Sequence, residues 1–119
     1  MKIYFREFGG VRATDLKISV EETKWSRETT HSGRAPEKIF GVLTKEETER
    51  LQASVQKLLA IKPKRSYGWF QYQSDPVKID LEITIGSEKL EIKTISDPSD
   101  PRPQEFYDFA GLLLSMTSP

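Results

Sequence analysis

Of the two side chains most used for nucleophilic, general-base and soft-metal chemistry, this chain of 119 residues has one histidine, His31, and no cysteine. A nucleophilic triad needs a base beside its nucleophile. His31 sits between Thr30 and Ser32 in a polar stretch with no partner visible in the sequence, so it reads as a solvated loop histidine. Zinc sites take three or four nitrogen, sulfur or oxygen ligands, and one histidine without cysteine leaves only carboxylates. Those carboxylates do not form such a set. Glu46, Glu47 and Glu49 fall where a helix start would favour them. Asp80, Glu82, Glu88 and Glu91 belong to alternating strand patterns, and Asp97, Asp100 and Asp108 lack the regular spacing of a calcium loop. Gly9-Gly10 has neither the further glycine nor the Lys-Ser/Thr of a phosphate cradle. Nothing here resembles the machinery of an enzyme.

Two features suit binding better. Gly9-Gly10 ends the opening run Met1–Phe8, and paired glycines permit positive φ or close approach of the backbone to another surface. The segment Ser66–Gln73 carries Tyr67, Trp69, Phe70 and Tyr72 around Gly68, preceded by Lys62, Lys64 and Arg65. Basic residues beside aromatics match platforms for single-stranded nucleic acid, or the Tyr, Trp and Arg anchors of a protein interface. Lys plus Arg and Asp plus Glu stand at 18 each. The chain therefore has no overall field to attract nucleic acid or an acidic membrane, and the protein-interface reading is preferred.

The elements that must position these features follow from periodicity. The run from Met1 is broken at once by Arg6 and Glu7, unlike the roughly 7–15 apolar residues of a secretory leader. With no cysteine either, a cytoplasmic location is expected. No apolar stretch approaches the ~20 residues of a membrane span. Leu16, Ile18 and Val20 alternate as a second strand returning beside the first. Thr23–Pro36 is polar and reads as a long mobile loop. Glu37–Leu43 is either a helical turn or an extended link.

Thr44-Lys45-Glu46-Glu47 is a capping box. Leu51, Val55, Leu58 and Leu59 lie on one stripe of the helix it starts, which Pro63 stops near Ile61. Ile79, Leu81, Ile83 and Ile85, then Leu90, Ile92 and Thr94, alternate about Gly86-Ser87 as a hairpin with one buried face. Three prolines stiffen the link from Asp97 to Pro103. A last helix spans about Pro103–Met116, with Phe106, Phe109, Ala110, Leu113 and Leu114 at helical spacing. The expectation is a single α+β domain over residues 1–119: an antiparallel sheet of about four strands with helices packed on one face.

In order and length, these motifs resemble the emfourin family of bacterial protealysin inhibitors, which block thermolysin-like zinc metalloproteases. The resemblance runs through Met1-Lys2-Ile3 to Phe8-Gly9-Gly10, the Leu43–Glu47 helix entry, the aromatic segment with Tyr67 and Phe70, the hairpin Lys78–Thr94, and the Leu-rich helix after Asp97-Pro98. Shorter members lack the long Thr23–Pro36 stretch and the extra aromatics around Gly68-Trp69. The resemblance implies a small intracellular inhibitor, monomeric, without a cofactor or metal of its own, that binds a thermolysin-like zinc metalloprotease about one-to-one. Such an inhibitor must fill a cleft whose zinc keeps an open position, and a rigidly presented loop does so at the least entropic cost. The first candidate for that loop is Phe8, Gly9, Gly10, Val11 and Arg12, with Val11 suited to an apolar pocket. Tyr67, Trp69 and Tyr72 are the flanking anchor, and Thr23–Pro36 is a third choice. The alternative is a protein- or single-stranded nucleic-acid-binding module built on residues 62–73.

Overall fold

The computed structural model describes residues 1–10, 13–68 and 76–118. Seven strands and two helices follow one another as β1 (Lys2–Gly9), β2 (Thr14–Glu21), β3 (Lys24–Thr30), β4 (Glu37–Val42), α1 (Lys45–Ala60), β5 (Ser66–Tyr67), β6 (Val77–Ile85), β7 (Glu88–Ile95) and α2 (Gln104–Met116). The strands form one mixed sheet in the order β4-β3-β2-β1-β6-β7-β5, antiparallel except where β5 runs parallel to β7. The architecture is α+β, but the sheet has seven strands where the sequence pattern suggested about four.

Alternation in β1, β2 and β6 sets the register. Phe5 lies opposite Ile18 on one side and Leu81 on the other, and Ile3 lies between Val20 and Ile83. A slip of β1 by one residue would turn Ile3 and Phe5 to the other face of the sheet, so burial holds this register firmly. These side chains form one core cluster with Leu51, Val55 and Leu58 of α1 and Phe106, Phe109 and Leu113 of α2. The helices also touch each other.

The capping box at α1 forms as its sequence requires. The Thr44 hydroxyl accepts from the Glu47 amide at 3.1 Å, and the Glu47 carboxylate accepts from the Thr44 amide at 2.9 Å. Leu59, expected on the buried stripe, is only partly buried at its margin. The α2 stripe is buried through Phe106, Phe109, Ala110, Leu113 and Met116, while Leu114 lies at its edge.

One of the additional strands lies where a mobile loop was expected, in Thr23–Pro36. Residues 24–30 are β3, paired along their length with β2. Its register places Trp25, Arg27 and Thr29 opposite Val20, Ile18 and Leu16, on the core side. Only one of the three is apolar, which hides the strand from a hydropathy pattern. Arg27 fills its position by donating from Nη1 to the Leu114 carbonyl at 3.3 Å and the Ser118 hydroxyl at 3.2 Å, reaching the end of α2. Trp25 lies flat over Gly41, where a Cβ would overlap the indole. Residues 37–42, undecided between helix and extended link, are the edge strand β4.

Candidate functional site

β1 is flanked by β2 and β6 up to its last residue, where Gly9 pairs with Thr14 and with Val77. Gly9 and Gly10 then turn the chain with φ of 89° and 78°, conformations that only glycine adopts without strain. Gly9 also needs its missing side chain, because a Cβ there would stand 2.6 Å from the Pro76 carbonyl oxygen. The Gly10 carbonyl accepts from the Ala13 amide at 3.2 Å, closing the turn. Val11 and Arg12, the other candidate turn residues, lie outside the described residues. Gly9 and Gly10 thus stand at the end of the middle strand of a seven-stranded sheet.

Phe8 is the side chain nearest this turn that has a built setting. It stands on the side of β1 opposite the core, in register with Asp15 and Lys78. The Arg6 guanidinium lies 4.0 Å from the ring centroid and the Lys78 ammonium 5.8 Å away, so cation–π attraction holds the ring in place. Arg6 is itself fixed by Asp15, donating from Nε at 3.0 Å and from Nη2 at 2.8 Å. That bidentate bond lowers the Asp15 pKa below the ordinary carboxylate value and raises that of Arg6, against the opposing effect of burial. Fixing a phenyl ring and an arginine beforehand reduces the side-chain entropy lost when a partner covers them.

Two shallow cavities meet at Phe8. One, of about 390 Å³, lies between Phe8, Gly9, Gly10, Thr14, His31 and Val77. The other, of about 270 Å³, runs from Phe8 to Tyr67, Lys78, Lys93 and Ile95. Hence the turn and the start of the aromatic segment, 57 residues apart from Gly10 to Tyr67 in sequence, border one surface. His31 joins it because β3 returns along β2 and sets Thr30 opposite Asp15. His31 itself is exposed and lies just past the end of β3, a loop position as its polar sequence surroundings suggest.

Tyr67 is only 7% exposed. Its hydroxyl accepts from the Lys64 amide at 2.9 Å, and the Lys64 ammonium lies 4.7 Å from its ring centroid. It supports the groove from below and has little ring surface to offer a partner. Asp100 ties the segment down, accepting from Lys64 Nζ at 2.7 Å and from the Gly68 amide at 2.9 Å. The Lys64 bond first, and the Gly68 amide second, hold the Asp100 carboxyl below its ordinary range. Trp69, Phe70 and Tyr72 lie outside the described residues. Among the described residues of the segment, the Tyr67 ring is buried and the Lys64 charge is matched by Asp100.

These carboxylates give the acid limb of stability a sign. A group whose folded pKa is depressed contributes stability that is present above its unfolded pKa, near 3.9 for aspartate, and is lost as pH falls through the folded value. Asp15→Asn is therefore expected to flatten the decline in urea midpoint between about pH 5 and pH 2. At neutral pH the substitution should cost at most about 1 kcal/mol, since both partners remain partly exposed. An acid limb of unchanged steepness would mean that Asp15 contributes nothing to it.

Among the described residues no group of three His, Asp or Glu is placed to hold a metal ion, and no helix is long and apolar enough to cross a membrane. The chain matches no protein-family model and no curated protein.

Proposed function

We propose that this protein inhibits a thermolysin-like zinc metalloprotease by seating the Gly9–Gly10 turn in the active-site cleft, with Phe8 packed against the cleft wall. The observation that supports this most directly is the turn itself: two consecutive glycines at positive φ, at the end of a strand paired on both sides. A cleaved substrate must deform into the protease's reactive geometry, whereas a turn locked by strand pairing resists that deformation while losing little entropy on docking. Phe8 and Arg6 are of the residue types that dominate interface energetics. The zinc would be the protease's own, and the inhibitor supplies shape and occlusion.

The reading is tested by titrating thermolysin activity on a short fluorogenic peptide with the intact protein and with Gly10→Asp. A Cβ at Gly10 meets only the Val77 methyl, at 2.9 Å, so the exposed Val77 side chain must shift to admit it, and the positive φ adds strain. Aspartate tolerates the left-handed region better than most residues. The variant is therefore expected to keep native circular dichroism while its inhibition constant rises about 100-fold, the effect of ~3 kcal/mol for a carboxylate left unpaired in a desolvated cleft. Equal inhibition by a folded variant would remove the turn from the mechanism. Failure of the wild-type protein to inhibit thermolysin and related metalloproteases would remove the inhibitor reading.

A further inference from the structure

At the opposite end of the sheet order from β5, β4 forms an open edge, and its two outward apolar side chains are the most exposed large hydrophobics among the described residues: Phe40 at 71% and Val42 at 66%. We propose that β4 is a dimerisation edge, pairing antiparallel with β4 of a second copy of this chain about a two-fold axis at Phe40. The proposal is independent of the inhibitor reading, because β2 and β3 separate β1 from this edge.

The backbone defines which groups are available. Leu43 donates its amide to the Thr23 carbonyl at 2.7 Å, continuing the ladder in which Gly41 faces Trp25 and Ile39 faces Arg27. In an antiparallel ladder each residue's N–H and C=O point to the same side, alternating along the strand. The odd-numbered residues of β4 therefore face β3, and Lys38, Phe40 and Val42 direct their N–H and C=O groups off the edge. Natural edges are usually shortened, kinked or charged against such pairing. Here β5, at the other end, is only two residues long, whereas β4 has six.

The side chains favour a second copy over an unrelated strand. With the axis at Phe40, Phe40 opposes its own symmetry mate and Lys38 opposes Val42 of the other copy. All three pairs are of the hydrogen-bonded type that the outward groups of β4 require. No like charges are opposed, and each Phe40 ring keeps its own Lys38 ammonium, 5.3 Å from its centroid. On the other side of the strand, Ile39 meets Gly41 of the second copy, a position with no side chain to obstruct it. Directly opposed aromatic and β-branched pairs are the units that stabilise a sheet. The chain's formal net charge of zero adds no repulsion between copies.

Sedimentation equilibrium on the intact protein across a micromolar to millimolar range tests this, alongside Phe40→Lys and Phe40→Pro. Proline removes an outward donor and leaves the β3 ladder intact, as edge strands permit. The expected result is a concentration-dependent dimer, with a dissociation constant that rises more than about tenfold in both variants while circular dichroism stays native. Amide hydrogen exchange of the wild type gives a readout independent of variant folding: protection at Lys38, Phe40 and Val42 should increase with protein concentration. A monomer throughout the range overturns the proposal, as does a dimer that survives in both folded variants. Exchange at these amides that does not change with concentration also overturns it. So does protection gained only when a protease is added, which would give the edge a different occupant.

Discussion

Phe5→Ala is expected to lower the unfolding free energy by about 4 kcal/mol, within the range for removing a fully buried phenyl ring. Phe5 has no exposed surface and sits on the central strand between Ile18 and Leu81, in the cluster that also holds Phe106 and Phe109. The lost transfer energy is joined by the cost of a cavity between sheet strands that cannot close in without disturbing both ladders. Since domains of this size are stable by only about 5–15 kcal/mol, the loss is a large share of the total. It would appear as a lower urea midpoint with little change in slope. A loss below about 1 kcal/mol would mean that the core does not centre on this ring.

Gly68→Ala should be nearly as damaging, at about 3 kcal/mol, although it adds a single methyl group. Gly68 has φ of +90°, and a Cβ at that position would overlap the Ile95 carbonyl. Backbone in this region costs any other residue about 1–3 kcal/mol, and overlap with a main-chain atom of β7 forces a shift that side-chain rotation cannot relieve. The segment carrying Gly68 is held by Asp100 and by the short parallel pairing of β5 with β7. The substitution should therefore release β5 first. Hydrogen exchange would show this as a loss of protection at Lys93, whose amide donates to the Arg65 carbonyl at 2.8 Å, larger than any loss in β1 or β2. Uniform loss across the sheet, or none, would contradict a local effect. Gly33, also at positive φ, has open space around it, and this contrast separates the effect of steric overlap from that of conformation.

Much of the frame is written in short stretches of sequence. Thr44 and Glu47 start α1 by hydrogen bonds between residues three apart. Ile79, Leu81 and Ile83 announce a strand because burial demands a period of two, and Gly86-Ser87 marks its return. Gly9-Gly10 signals a turn by steric freedom alone. Each of these is a local property, in which neighbouring residues carry both the cause and the effect.

What escaped the sequence has non-local causes. β3 carries Arg27 and Thr29 at core-facing positions, and Arg27 belongs there only because the end of α2, 87 residues on, supplies its acceptor. β4 becomes an edge only through the sheet order, and its register with β3, which sets Phe40 opposite Ser26, turns that ring away from the core. Tyr67 looked like a surface anchor until parallel pairing with β7 and the Lys64 amide buried it. At the candidate site, the sequence by itself determined the glycine turn and the presence of Phe8. The tertiary structure decided that Arg6 and Asp15 would brace that ring, that His31 and Tyr67 would border the same surface, and that the turn would stand on a strand held from both sides. Strand order and register are settled by contacts between distant residues, and the free energy of those contacts is not present in any short stretch of chain.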